Sequence, residues 1–210
     1  SNVLFKVKCL SIMSEPIDIL VVGPGGCGQT GLMKFLRNNN IKINNLADRD
    51  LLKHMPNPNM IQKNVKINKC IFVVNKSFES VCSHFRRGWA KTQLKKLGNI
   101  YKLPISKQTT MDEYFEFVKK SGKDFFGIEN QFNNWYNTKL PFPIYFIKFE
   151  EIPNNIKQLN EYVDNKIDFS QFKIRSRQST KYRDIFKDIT ILYDKIGERI
   201  NKKVNDKSIY

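Results

Sequence analysis

The segment from Ile17 to Leu36 constrains the fold more than any other part of the chain. It contains the apolar run Ile19–Val22, which is short enough and rich enough in β-branched residues to be a strand buried on both faces. Four glycines follow within six residues, namely Gly23, Gly25, Gly26 and Gly28. Apolar residues then recur at helical spacing up to Leu36. Strand, glycine loop and helix in this order predict a loop whose backbone N–H groups face an anion at the start of the helix.

The glycine spacing fits a phosphate-binding loop of the form Gly-x-x-x-x-Gly-Lys-Ser/Thr, with Gly23, Gly28 and Thr30 at the matching positions. Gln29 stands where this pattern has lysine, so it offers a hydrogen-bond donor and no charge. A glycine-rich turn without a ligand is the alternative, but four glycines cost backbone entropy that an ordinary turn does not require. The residues predicted to hold the anion are Gly25, Gly26, Cys27, Gly28, Gln29 and Thr30.

Apolar runs and helical patterns alternate along the rest of the chain. Strands are predicted at 17–22, 69–74 and 143–149, with a further short strand at 41–44. Helices are predicted at 30–38, 78–97, 111–120, 125–136, 155–163 and 182–204, with one helical turn at 48–52. The alternation predicts an α/β fold, a three-layer P-loop-type domain with a central parallel sheet flanked by helices. We expect a single domain over 17–210, preceded by an extension or edge strand at 1–16.

Two of the helices carry apolar faces that predict which side is buried. In the helix at 78–97 the inward residues are Phe78, Val81, Cys82, Phe85, Trp89 and Leu94. In the helix at 182–204 they are Ile185, Ile189, Leu192, Ile196 and Ile200. Each of these two segments is predicted as one uninterrupted helix.

The chain is strongly basic: among 210 residues, 36 Lys and Arg stand against 20 Asp and Glu, which gives a formal net charge of +16. A charge this large indicates an acidic partner, which is a nucleotide, a nucleic acid, a sulfated or acidic glycan, or an anionic membrane. The heavy use of Asn, Lys and Ile has a second explanation in AT-rich coding. Charge alone does not choose between the two explanations.

The four cysteines and two histidines form no zinc-binding spacing. Cys70 and Cys82 lie in apolar surroundings, which predicts buried thiols and a reducing compartment. No apolar run reaches about 18 residues, so no membrane span is predicted. Lys6 and Lys8 interrupt the apolar run near the amino end, which argues against a signal peptide. These features lead us to expect a cytoplasmic location.

The segment after the second predicted strand narrows the choice among phosphate-binding families. It reads Asn75-Lys76-Ser77-Phe78-Glu79-Ser80-Val81-Cys82-Ser83 and resembles the sulfotransferase segment Arg-Asn-Pro-Lys-Asp-x-x-x-Ser. In that family the arginine and the serine eight residues later bind the 3′-phosphate of the sulfate donor. Ser83 falls on the serine and Asn75 on the arginine, so the resemblance keeps one of the two ligands.

Two further segments resemble the same family. Trp135 followed by Tyr145-Phe146-Ile147-Lys148-Phe149-Glu150-Glu151 is similar to its helix tryptophan and a strand ending Tyr-Glu-Asp. His54-Met55-Pro56 is similar to Lys-Thr-His-x-Pro, whose histidine is the catalytic base in cytosolic sulfotransferases, whereas glycan sulfotransferases often use glutamate. Together these motifs occur in the order found in the family and cover 17–186, which is most of the chain.

The resemblance implies transfer of a sulfuryl group from 3′-phosphoadenosine 5′-phosphosulfate (PAPS) to a hydroxyl or amine acceptor, with no metal required. An acidic glycan is one acceptor that the basic surface suggests, and nucleic acid is not an expected partner. His54 is implied as the general base. The family loop, Pro-Lys-Ser-Gly-Thr-Thr, has its lysine where this chain has Gly26. Lys53 and Lys34 are the candidates to replace it, and binding of the nucleotide without catalysis is the alternative.

Four arginines are implied around the 3′-phosphate. Arg86 and Arg87 follow Ser83 by about one helical turn and stand in for the missing arginine. Arg175 and Arg177 lie where the family has a basic loop that closes over the same phosphate. Solvated surface charge is the alternative interpretation of all four.

Two other functions stay open on the sequence. A P-loop NTPase or kinase needs a magnesium-holding acid after a strand; Asn75 at the second strand counts against it, and Glu150 and Glu151 after the third keep it possible. A nucleotide-binding protein of the same fold without catalysis would explain the missing charges at Gly26 and Asn75.

Overall fold

The computed structural model describes residues 15–26, 28–97, 105–174 and 181–206. Three strands form one sheet in the order β1 (Ile17–Val22), β2 (Ile67–Val74) and β3 (Ile144–Lys148). Both strand pairs are parallel. The predicted strand at 41–44 is reduced to one parallel bridge between Ile43 and Ile19, at the side of β1 away from β2.

The described residues contain eight α-helices. They are α1 (Gln29–Asn38), α2 (Ser77–Arg86), α3 (Ala90–Leu97), α4 (Met111–Ser121), α5 (Ile128–Asn137), α6 (Ile156–Tyr162), α7 (Lys181–Ile185) and α8 (Lys187–Asp206). Short 3-10 helices occupy Pro58–Met60, Phe149–Asn155 and Phe169–Gln171. Among the described helices, none has both the length and the apolar character needed to cross a bilayer.

The sheet is buried on both faces, which confirms the α/β prediction. Because side chains alternate along a strand, Phe72 and Val74 enter one hydrophobic cluster with residues of α2, α3, α4, α5 and α8. Ile71 and Val73 enter a second cluster with residues of α1 and α6. Helices therefore cover both faces, and the parallel strands end at one common edge, where the glycine loop lies.

The predicted helix at 78–97 is wrong in one respect, because it is broken into α2 and α3. Gly88 has φ 72°, a left-handed conformation that ends α2. The N–H of Gly88 donates to the Phe85 carbonyl (3.1 Å) and that of Trp89 to the His84 carbonyl (2.8 Å), which together form a Schellman motif. Trp89, predicted to face the core, is consequently 53% exposed.

The carboxyl-terminal helix differs in a similar way. It is divided at Phe186 into α7 and α8, and Ile185, predicted to be buried, is 67% exposed. Ile189, Ile196 and Ile200 are buried as predicted. The predicted helical turn at 48–52 is a non-helical turn.

Candidate functional site

The glycine loop joins β1 to α1, and three of its glycines have left-handed backbone conformations. Gly25, Gly26 and Gly28 have φ of 86°, 68° and 81°, values that residues with a side chain rarely adopt. Gly28 is also the residue at the start of α1, where no side chain caps the helix. Three left-handed residues in four positions turn the chain sharply just before the positive end of a helix dipole.

Gly23, Gly26 and Gly28 have no room for a side chain, because neighbouring elements approach the loop closely. A Cβ atom on Gly23 would lie 2.5 Å from the carbonyl oxygen of Val73 in β2. One on Gly26 would lie 2.8 Å from the carbonyl oxygen of Ser80 in α2, and one on Gly28 would lie 2.3 Å from the Phe149 ring. The loop is thus packed against the ends of β2 and β3 and against α2.

Gln29, at the lysine position, closes the loop on itself. Its side chain is buried, and its Oε1 accepts a hydrogen bond from the Gly25 N–H (3.0 Å). Its Nε2 donates to the Lys53 carbonyl (3.1 Å). An anion that uses the Gly25 N–H must therefore displace Gln29 Oε1.

Lys53 brings a positive charge to the first turn of α1. Its Nζ donates to Thr30 Oγ1 (2.8 Å) and to the Leu46 carbonyl (3.1 Å), and the residue is only 8% exposed. Lys34, the other replacement considered for the loop lysine, is exposed on α1. Lys53 is thus the lysine that reaches the hydroxyl predicted to bind phosphate.

A buried aspartate fixes the segment that carries Lys53. Asp48 is 5% exposed, and its Oδ1 accepts the backbone N–H of Lys53 (2.9 Å). Its other oxygen pairs with the ammonium group of Lys96 on α3. These bonds hold the main chain at Lys53 while leaving its ammonium group directed to Thr30.

His54 lies directly beneath the loop. The residue is 7% exposed, and its Nδ1–H donates to the Gly23 carbonyl (2.9 Å), since a carbonyl can only accept. Burial lowers the pKa of His54 to about 4. At neutral pH the imidazole is therefore uncharged and its Nε2 is free of a proton.

A second histidine, His84 on α2, lies on the same loop and was not predicted. Its Nε2–H donates to the Pro24 carbonyl (3.2 Å), and its ring stacks on Phe126 with centroids 5.2 Å apart. Burial lowers its pKa to about 3. A Cβ on Gly25 would lie 2.9 Å from Cε1 of both histidines, so the two imidazoles enclose that glycine.

Two of the predicted 3′-phosphate ligands, Asn75 and Ser83, contact the loop at Gly26. Asn75 Nδ2 donates to the Gly26 carbonyl (3.3 Å), and Ser83 packs against Gly26. The hydroxyls of Ser80 and Ser83 are buried and have no hydrogen-bond partner among the described residues. A buried hydroxyl without a partner costs about 1–3 kcal/mol, so these two groups are suited to a ligand that supplies acceptors.

The remaining predicted residues are not brought to the loop by described contacts. Arg86 and Arg87 are exposed at the end of α2. Cys27, Arg175 and Arg177 lie outside the described residues.

Comparison with family models, with curated proteins and with solved structures finds no match to this chain.

The buried histidines predict a loss of stability in mild acid. Each has a folded-state pKa below the value of about 6.5 expected when unfolded. The stability they contribute is therefore present above pH 6.5 and is lost as the pH falls toward 4 and 3. Denaturant unfolding between pH 7 and 5 should show a slope approaching about 1.4 kcal/mol per pH unit for each histidine.

The control keeps the hydrogen bonds and removes the titration. Asn and Gln place an amide N–H near Nδ1 and Nε2, so His54→Asn with His84→Gln should give an almost flat profile over this range. The chain has two histidines in all, so a wild-type profile that is equally flat would show that they are not buried as described.

Proposed function

We propose that this chain binds PAPS at its glycine loop and transfers the sulfuryl group to a hydroxyl or amine acceptor. The observation that carries the proposal is the 2.8 Å hydrogen bond from Lys53 Nζ to Thr30 Oγ1. Through this bond Lys53 brings to the loop the positive charge that is absent at Gly26 and Gln29, and Lys53 lies next to His54 in the chain. Cation, base and glycine loop then lie at one edge of a parallel sheet, where α/β proteins bind ligands.

Donor binding requires rearrangement at the loop, because Gln29 Oε1 occupies the Gly25 N–H and the Ser80 and Ser83 hydroxyls are buried. Gln29 Oε1 leaves the Gly25 N–H, and the loop N–H groups, the Thr30 hydroxyl and Lys53 bind the 5′-phosphate. The phosphate charge is further favoured by the amino end of α1. The hydroxyl of Ser83 serves the 3′-phosphate, and that of Ser80 is available beside it.

The proposed transfer step uses His54 and Lys53 in different roles. The acceptor oxygen or nitrogen attacks sulfur in line, the bond from sulfur to the 5′-phosphate oxygen breaks, and His54 Nε2 takes the acceptor proton. Lys53 stabilises the negative charge that develops on the departing phosphate. The product is 3′-phosphoadenosine 5′-phosphate (PAP), and the sulfated acceptor leaves with the transferred group.

Binding without turnover is a second candidate, favoured by the burial of His54. A histidine with a pKa of about 4 is a weak base. A P-loop NTPase or kinase has less support, because Asn75 is an amide where a magnesium-holding acid is needed and its Nδ2 is engaged with Gly26. Glu151, after β3, accepts a hydrogen bond from Asn154 within its own 3-10 helix.

Isothermal calorimetry tests donor binding and the role of Lys53. We expect PAP to bind without metal and more tightly than ATP with magnesium. Lys53→Met keeps the aliphatic stem and removes the charge-assisted bond, which should weaken PAP binding about 10- to 100-fold. Lys34→Met removes the same charge from an exposed site on α1 and should leave the affinity unchanged.

A preference for ATP with magnesium would overturn the proposal in favour of an NTPase. Equal loss in the two lysine variants would show that Lys53 acts only through net charge.

A His54→Asn variant separates catalysis from binding. Asn retains a donor for the Gly23 carbonyl but has no nitrogen that can take a proton. Sulfuryl transfer to a panel of hydroxyl, amine and glycan acceptors should be abolished, while the calorimetric affinity for PAP stays near that of the wild type. An undiminished rate would remove His54 from the mechanism, and absence of turnover in the wild type with tight PAP binding would favour the non-catalytic candidate.

A further inference from the structure

The break between α2 and α3 creates a basic corner whose side chains are not among those that contact the glycine loop. We call it the basic elbow; its residues are Arg86, Arg87, Trp89 and Lys95, which are exposed, and Lys91, which is half-buried. The Schellman motif at Gly88 turns the chain, so that α3 leaves α2 in a new direction. The elbow is thereby formed by the end of one helix and the start of the next.

Trp89 is displayed at this corner by its backbone bonds. Its N–H donates to the His84 carbonyl (2.8 Å) and its carbonyl accepts the Gln93 N–H (2.9 Å), so the main chain is fixed on both sides. The side chain is left 53% exposed. Trp135, by contrast, is fully buried and donates its Nε1–H to the Met55 carbonyl (2.8 Å).

The charged residues near Trp89 in the sequence are all basic. No acidic residue occurs in the sequence between Glu79 and Asp112. Lys91 and Lys95 are one turn apart on α3, away from its buried residues Leu94 and Leu97. The four cations of the elbow make no ion pair with described residues, whereas the neighbouring Lys96 is paired with Asp48.

We propose that the basic elbow binds single-stranded nucleic acid. An exposed aromatic ring among cations is the arrangement that such binding uses, because bases stack on the ring and phosphates contact the charges. Arginine adds to this fit, since its guanidinium group both stacks on bases and binds phosphate with two N–H groups. This proposal departs from the expectation, stated from the sequence, that nucleic acid is not a partner; the exposure of Trp89, which the sequence had placed in the core, is the observation that favours it.

Tryptophan fluorescence tests the proposal directly, because Trp135 is buried and the signal of ligand contact comes from Trp89. The probe is an oligothymidylate of about ten nucleotides, within the site sizes of single-strand-binding folds, without terminal phosphates. Stacking should quench the emission. In fluorescence anisotropy with a labelled probe, Trp89→Ala should bind about 5- to 100-fold more weakly.

A charge-matched pair of variants separates the elbow from general basicity. Arg86→Ser with Arg87→Ser should lower the slope of log affinity against log salt by about 1.4, which corresponds to two phosphate contacts on a single strand. Lys119→Ser with Lys120→Ser removes the same charge from exposed positions of α4 and should leave the slope unchanged.

Unchanged Trp89 emission at saturation, or equal effects of the two double variants, would overturn the proposal. A heparin-derived oligosaccharide that binds more tightly than the oligothymidylate, and loses that affinity in Trp89→Ala, would overturn it in favour of an acidic glycan at the same elbow. None of these results depends on PAP binding at the glycine loop.

Discussion

The close packing of the glycine loop is the constraint on which the rest of the site depends. No side chain fits at Gly26 or Gly28 without meeting Ser80 or Phe149, and Gly25 lies between two imidazoles. These contacts join the ends of all three strands and α2 around one turn of backbone. The hydrogen bonds from His54 and His84 to the loop carbonyls then fix the position of each ring. The packing of the loop and the positions of the two histidines consequently depend on the same residues.

The packing of the loop explains why a neutral glutamine lies inside it and the nearby positive charge comes from another segment. Gln29 is neutral, buried and bonded at both ends, so it closes the loop without burying a charge. A lysine buried there would need a partner. The cation is instead supplied by Lys53, whose main chain is fixed by Asp48 and whose ammonium group reaches Thr30. In the proposed complex, the anion replaces the Gln29 side-chain oxygen at the Gly25 N–H.

Much of this could be predicted from the sequence, and the failures have physical causes. Strand β1 and the glycine conformations follow from local pattern and backbone sterics, which need no tertiary information. The break at Gly88 was missed because apolar spacing continues through it, although a glycine after Arg86 and Arg87 is a helix-ending signal. His84 was missed because its contact with Pro24 joins residues 60 positions apart. No local pattern marks such a contact.

The displacement of Gln29 from the Gly25 N–H is the central claim, and NMR with ¹⁵N-glycine labelling tests it most directly. The chain has ten glycines, so the spectrum is simple. On addition of PAP without magnesium, we expect the Gly25, Gly26 and Gly28 amides to shift, while Gly88 and Gly122, remote from the loop in the chain, stay in place. Loop amides that remain unchanged at saturating PAP, or shifts confined to other glycines, would contradict the account.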